Sequence, residues 1–184
     1  MGRAPTRHIV LVGMMGAGTT AIGTELARRL GVPFRDSDAE IERAAAMSIT
    51  EIFARDGEAF FRAREAEVLA RLMSGPVGVI STGGGAFMQA RNRDLIAARG
   101  LSVWLNCDLD LLWQRVRQRP TRPLLQTADP RGTLARLLAQ RQPIYAQANL
   151  EYCARPGDSV EAATSRLIET LERVEPPLFE EGKS

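Results

Sequence analysis

The stretch "HIVLVGMMGAGTTAIG", residues 8–23, limits the possible folds more than any other part of the chain. Its apolar run ends at Gly13, as expected for a strand that is buried on both faces of a sheet. A helical apolar pattern then continues to Gly31. Between them, Gly13, Gly18 and Thr20 match the pattern G-x-x-x-x-G-K-[ST], whose backbone N–H groups surround a phosphate at a helix N-terminus. This strand–loop–helix context favours a phosphate site over a plain glycine-rich turn.

Position 19 of this loop departs from the pattern, because Thr19 stands where the motif has lysine. A lysine there reaches the β- and γ-phosphates, whereas threonine offers only a short neutral hydroxyl. Losing one preorganised donor costs about 10²–10³ in rate, so we expect impaired phosphoryl transfer. Lys183 is the only lysine among the 24 basic residues, and we do not expect it to reach the loop. The replacement cations that the sequence offers are Arg115, Arg119 and Arg122.

The rest of the chain repeats the alternation of short apolar runs with helical patterns. Four further runs predict strands: "VPFRD", "VGVIST", "LSVWLNC" and "LEYCA". The expected fold is a three-layer α/β domain over residues 1–174 with a five-stranded parallel sheet, followed by a disordered tail at 175–184. Because such sheets bind ligands beyond the carboxyl ends of their strands, the loops at 13–20, 36–38 and 83–85 should converge.

Composition excludes several classes of function. The net charge of +2, without a dense basic run, disfavours a nucleic-acid-binding module. No apolar run is long enough to cross a membrane, and the N-terminus lacks a signal sequence, so we expect a cytoplasmic protein. His8 is the only histidine, which excludes a Ser-His-Asp triad or a multi-histidine metal site. Cys107 and Cys153 lack metal-ligand spacing and are interpreted as thiols in a reduced compartment.

Two motifs offer groups for binding and catalysis near this sheet edge. Asp36 and Asp38 lie two residues apart at the end of strand two, where an extended backbone would point both carboxylates the same way. The alternative is ordinary helix N-capping by Ser37 or Asp38. The run Gly83–Gly85 would let backbone approach a ligand, although a tight turn explains one or two of its glycines.

Several arginines are further candidates. Arg62 lies in a helical pattern and Arg141 precedes a proline; either is a substrate contact or a solvated surface charge. The pattern "RPTRPLL", in which Arg119 and Arg122 each precede a proline, predicts a mobile basic flap that could cover a triphosphate.

The ordered motifs "GMMGAG", "FRDSD", "FFRARE", "STGGG", "TRPLL" and "RQPIY" resemble those of the shikimate kinases, and the likeness covers roughly residues 8–172. The resemblance implies a P-loop kinase of the nucleoside-monophosphate-kinase-like fold, expected to be a monomer. Its implied activity is the Mg²⁺- and ATP-dependent phosphorylation of the 3-hydroxyl of shikimate. It also implies a substrate-binding region at about 36–64 and a lid at about 115–131.

The resemblance assigns roles to individual residues. Asp38 would bind the attacking hydroxyl, and Arg122 would be the lid arginine that closes on the transferred phosphate. Substrate binding would fall to Arg62 and Arg141, which clamp the carboxylate, and to Gly83, Gly84 and Gly85. Thr20 would bind the metal, with Asp36 behind it through water. The nucleotide contacts would be Gly16, Ala17, Gly18, Thr19, Thr20, Ala21, Arg115, Arg122, Arg155 and Pro156, with Arg115 packing on adenine and the last two bordering the base.

Two other functions stay open at this point. One is a non-catalytic relative that binds shikimate or nucleotide without turnover, and the other is a kinase for another hydroxylated acid such as gluconate. Turnover distinguishes the first from an active kinase, and acceptor choice distinguishes the second.

Overall fold

The computed structural model describes residues 3–118 and 125–181. Its strands are β1 His8–Val12, β2 Phe34–Asp36, β3 Val79–Ser81, β4 Gly100–Asn106 and β5 Leu150–Cys153. Its α-helices are α1 Thr19–Leu30, α2 Ser37–Ala45, α3 Ile49–Met73, α4 Ala90–Arg99, α5 Leu109–Val116, α6 Pro130–Tyr145 and α7 Val160–Leu171, and a 3-10 turn covers Ala86–Met88. All five predicted strands are therefore confirmed.

The sheet is parallel throughout, with strand order β2-β3-β1-β4-β5. Strands β2 and β3 lie on one side of β1 in the strand order and β4 and β5 lie on the other, so β3 and β4 flank β1. This reversal opens a crevice beyond the carboxyl end of β1, where open α/β sheets bind ligands.

Helix α1 shows how the sequence sets the geometry of the first loop. Gly18 precedes it in the left-handed region (φ 90°), and Gly31 ends it with φ 66°. The predicted apolar face, including Ile22, Leu26 and Leu30, is buried. Helix α1 therefore points its N-terminus at the crevice.

Helix α3 is broken at Gly57, whose φ of 84° and ψ of 173° are not helical. Ser48 caps the N-terminus of α3 by accepting from the Glu51 backbone N–H at 3.1 Å. The segment after Gly57 carries Arg62.

The prediction of a disordered tail is wrong for residues 175–181. Leu178 is 1% exposed, and its carbonyl accepts hydrogen bonds from the backbone N–H and the hydroxyl of Thr6. Pro5 and Phe179 form an antiparallel bridge. Burial of an apolar side chain offsets the entropy of ordering this segment.

No helix within residues 3–118 and 125–181 is long and apolar enough to cross a membrane.

Candidate active site

A cavity of about 610 Å³ lies at the carboxyl ends of the strands. The phosphate-binding loop, Asp36, Asp38 and the turn at 81–84 line one part of it, so the predicted convergence of three loops is confirmed. The opposite wall comes from the end of α5 and from the loop that follows β5. One side can thus take phosphates while the other borders a base.

The loop preceding α1 has the backbone form that a phosphate cradle needs. Gly16 and Gly18 have φ values of 85° and 90°, a region that side chains rarely adopt. A Cβ on Gly16 would lie 2.8 Å from Cγ2 of Val116. Thr19 and Thr20 form the first turn of α1 and line the cavity. The backbone amides and the positive end of the helix are therefore available to an anion despite the missing lysine.

Thr20 and Asp36 are hydrogen-bonded, with the Thr20 hydroxyl donating to Asp36 Oδ2 at 2.8 Å. The other Asp36 oxygen accepts from the backbone N–H groups of Asp38 and Ala39 at 2.9 and 3.3 Å. Asp36 is therefore the N-cap of α2, so capping by Ser37 or Asp38 is wrong. The assumption of an extended Asp38 is also wrong, because that residue lies in the first turn of α2.

This arrangement fits a magnesium ion that is bound mainly by a nucleotide. Mg²⁺ usually keeps several waters and takes one or two protein oxygens in addition to substrate phosphates. Thr20 and Asp36 offer such oxygens at the cavity wall. Among the residues that the structure describes, no group of three or more His, Cys, Asp or Glu side chains forms a closed metal site.

Asp38 lies over the glycine turn. A Cβ on Gly83 would be 2.5 Å from Asp38 Oδ1, so a side chain at this position would displace the carboxylate. The Gly83 backbone N–H donates to the Ser37 hydroxyl at 3.3 Å, which ties the turn to the start of α2. Asp38 is thus positioned to accept a hydrogen bond from a hydroxyl in the cavity.

Arg62 and Arg141 meet the same turn from two helices. A Cβ on Gly85 would lie 2.3 Å from Arg62 Nη2, and one on Gly84 would lie 3.0 Å from Arg141 Nη1. The Arg62 side chain is 13% exposed and Arg141 is 7% exposed, which rules out two solvated surface charges. Arg141 Nη1 is buried and has no hydrogen-bond partner within the described part of the chain.

Glu65 is a site residue that sequence reasoning missed. Its side chain is fully buried, and Arg62 Nη1 donates to both of its carboxylate oxygens at 3.0 and 3.1 Å. Burial raises the pKa of Glu65, while Arg62 and then Arg141 act in the opposite direction. The available signal was its spacing, because Glu65 lies in the helical stripe of Phe61, Val68, Leu69 and Leu72, where apolar residues are expected.

Tyr145 stabilises the Gly83–Gly85 turn. Its hydroxyl donates to the carbonyl of Gly84. Burial raises the pKa of Tyr145 to about 12, although Arg141 nearby opposes the shift. Tyr145 therefore stays protonated and fixes the turn as a hydrogen-bond donor.

The remaining predicted residues divide into three groups. Arg115 and Arg155 line the cavity, and Arg115 Nη1 donates to the Gly16 carbonyl at 3.0 Å. Pro156 and Gly85 do not line it. Arg119 and Arg122 fall outside the described residues.

A model of the shikimate kinase family matches residues 15–172. The shikimate kinase of Ruegeria pomeroyi is 58% identical over 172 residues, covering 92% of this chain and 88% of that protein. The shikimate kinase of Cereibacter sphaeroides is 59% identical over 165 residues, covering 90% and 82% of the two chains.

Solved structures of shikimate kinases are also similar to this chain. A shikimate kinase from Acinetobacter baumannii in complex with shikimate superposes with a TM-score of 0.82 at 41% identity, covering 90% of this chain and 91% of that one. A gluconokinase from Sinorhizobium meliloti has a TM-score of 0.54 at 19% identity, with coverage of 92% and 97%. The second likeness extends to the fold alone.

Proposed function

The chain belongs to the shikimate kinase family, and we propose that it transfers the γ-phosphate of ATP to the 3-hydroxyl of shikimate. The observation that carries this proposal is the Gly83–Gly85 turn. It contacts Asp38, which lines the cavity, and the buried Arg62 and Arg141, which do not, and a Cβ on its Gly84 would lie 3.5 Å from the Gly13 carbonyl of the phosphate-binding loop. A carboxylate that can accept a hydrogen bond from a substrate hydroxyl, two arginines that can bind a substrate carboxylate, and a site for the phosphate donor are therefore close together.

The donor side would bind ATP through Gly16–Ala21, which lines the cavity at the positive end of α1; the Ala17 N–H already donates to the Met14 carbonyl at 3.0 Å, so the other amides of this stretch would contact the phosphates. Mg²⁺, held by Thr20 directly and by Asp36 through water, would offset charge on the phosphates. Asp36 then has two tasks: it accepts from Thr20 and it caps α2, which carries Asp38. This couples the metal site to the acceptor site through one residue.

The acceptor side would bind the carboxylate of shikimate. Arg62 and Arg141 are planar donors, suited to a carboxylate, and Arg141 Nη1 is a buried donor that still lacks a partner among the described residues. A bound carboxylate would supply that partner. Glu65 holds Arg62 Nη1 in place, and Nη2 lies against Gly85 while also pairing with the more exposed Glu58 at 3.4 Å.

Asp38 would orient the attacking hydroxyl and accept its proton as the new bond to phosphorus forms. Phosphoryl transfer depends mostly on positioning and on charge stabilisation. The fixed place of Asp38 above Gly83 supplies the first of these. The second is weakened in this chain, because Thr19 has no charge.

Thr19→Lys tests this account. We expect the lysine variant to release ADP from Mg-ATP and shikimate about 10²-fold or more faster than the unmodified chain, since it restores a preorganised donor at the reaction centre. A coupled assay of ADP release measures the rate, and Thr19→Met controls for side-chain length without charge. Failure of both the unmodified chain and the lysine variant to phosphorylate shikimate would refute the acceptor assignment.

Thr19 also favours a second candidate, a shikimate- or nucleotide-binding protein without turnover. Binding of shikimate and ADP does not separate the two functions. An unmodified chain that binds both but shows no ADP release, together with an active lysine variant, would establish the second one.

A further inference from the structure

We infer that Arg115 supplies the positive charge that the phosphate-binding loop lacks because residue 19 is threonine. Nucleotide affinity should therefore depend strongly on Arg115 in this chain and only weakly when residue 19 is lysine. This inference rests on the proposed nucleotide site but not on the acceptor. It assigns Arg115 a role toward the phosphates, beyond packing on a base.

The first observation is the charge of the cavity lining. Among described lining residues, the cations are Arg115 and Arg155, and the anions are Asp36, Asp38 and Asp158. Asp158 is ion-paired with Arg166, so two cations and two other carboxylates remain, and this part of the wall offers a polyphosphate no excess of positive charge. Each cation that lies against the phosphate-binding loop should therefore contribute measurably to nucleotide affinity, because a hydrogen bond between oppositely charged groups is stronger than one between neutral groups.

The second observation is the position of Arg115. Its Nη1 donates to the Gly16 carbonyl at 3.0 Å, and a Cβ on Gly18, the residue before Thr19, would lie 3.6 Å from the same nitrogen. The guanidinium thus lies against the loop itself. Arg155 is exposed in the loop after β5, and no side-chain hydrogen bond or ion pair joins it to the described residues.

The third observation is how α5 holds Arg115 there. Val116 and Leu112 are buried, and a Cβ on Gly16 would lie 2.8 Å from Val116 Cγ2 and 3.2 Å from the Leu112 carbonyl. The last turn of α5 is therefore packed on the loop, with Arg115 at its edge. The other group near Nη1 is the buried thiol of Cys107, at 4.0 Å. No described carboxylate forms an ion pair with Arg115, so its charge is available to an anion.

A double-mutant cycle with Mg-ADP tests the inference, using the unmodified chain, Thr19→Lys, Arg115→Met and the double variant. Calorimetric titration gives the four ADP dissociation constants. With Thr19 present, we expect Arg115→Met to weaken ADP binding by about 10-fold or more, the usual range for a hydrogen bond to a charged group. In the Thr19→Lys background, we expect a loss of less than about 3-fold, because the second cation covers the same charge.

Equal losses in the two backgrounds would overturn the inference and leave Arg115 with a base-packing or structural role. Arg115→Lys should recover most of the affinity in the Thr19 background if charge is what matters, and recovery of none would also overturn it. Arg117→Met is the matched control: it removes an arginine from the same helix end but outside the cavity lining, and its effect should not depend on residue 19.

Neither an unfolded variant nor a wrong acceptor assignment would prevent this experiment from giving a result. Arg115 is exposed, and Arg115→Gln repeats the comparison if the methionine variant unfolds in a thermal scan. ADP binding needs no acceptor, so a chain that fails to phosphorylate shikimate refutes the proposed function while the binding cycle still decides the role of Arg115.

Discussion

Replacing Arg141 by methionine should separate ligand binding from stability. Methionine keeps an unbranched apolar stem of similar length but removes the guanidinium. Arg141 is 7% exposed, and its Nη1 has no hydrogen-bond partner within the described residues. We therefore expect Arg141→Met to lose shikimate binding without losing stability in the free protein.

The magnitude follows from the groups around the guanidinium. A buried N–H group without a partner costs about 1–3 kcal/mol, which the methionine variant recovers. The opposing losses are the attraction between Arg141 and Glu65 and the interaction of Arg141 with the Tyr145 hydroxyl, although Glu65 keeps its two hydrogen bonds from Arg62 at 3.0 and 3.1 Å and Tyr145 keeps its bond to the Gly84 carbonyl. The net change should lie between about 0 and 2 kcal/mol in favour of the variant. For a chain of this size each kcal/mol moves the Tm by about 2–4 °C.

Calorimetric unfolding with and without shikimate measures both effects. The Tm of the free variant should equal or exceed that of the unmodified chain, and added shikimate should raise only the Tm of the unmodified chain. Arg136→Met, an exposed change on the same helix, controls for loss of one positive charge. The reasoning is refuted if free Arg141→Met melts several degrees lower than this control, or if shikimate stabilises it as much as the unmodified chain.

Two other changes test the surroundings of the site. Glu65→Gln should raise the KM for shikimate more than it lowers kcat, because Arg62 loses its charged anchor. Burial raises the pKa of Glu65 in the folded chain, so ionising Glu65 above the ordinary carboxyl range costs more in the folded than in the unfolded state. The unfolding free energy of the unmodified chain, measured relative to this variant, should therefore fall as pH rises above that range. A pH-independent difference would contradict the burial argument. Leu178→Ala should lower the unfolding free energy by about 2–5 kcal/mol in denaturant titrations, with exposed Glu180→Ala unchanged. A loss for Leu178→Ala below roughly 0.5 kcal/mol would mean that the tail does not pack.

The strands and loops of this fold were predictable because each is specified locally. A short apolar run bounded by turn residues identifies a buried parallel strand. The convergence of the three loops needed no knowledge of individual contacts, because the carboxyl ends of parallel strands meet at one edge of the sheet. The strand order β2-β3-β1-β4-β5 was not predicted, because the pairing of strands far apart in the sequence depends on tertiary packing.

Glu65 was not predictable by the same means, because an Arg–Glu pair three residues apart is a common surface pattern on helices. Only its place in the apolar stripe marks it as buried. Asp36 is a similar case: its capping role depends on where β2 ends and α2 begins, a boundary that single sequences define poorly. Leu178 was missed because the polar residues around it outweighed one apolar anchor.

The glycine turn also restricts how the specificity of such a protein can diverge. A Cβ would lie 2.5 Å from Asp38 at Gly83, 3.0 Å from Arg141 at Gly84 and 2.3 Å from Arg62 at Gly85. Any side chain added to one of these glycines would therefore displace one charged group of the proposed acceptor site. A change of acceptor specificity through this turn would move a carboxylate or a guanidinium, whereas a change elsewhere in the cavity wall would leave all three groups in place.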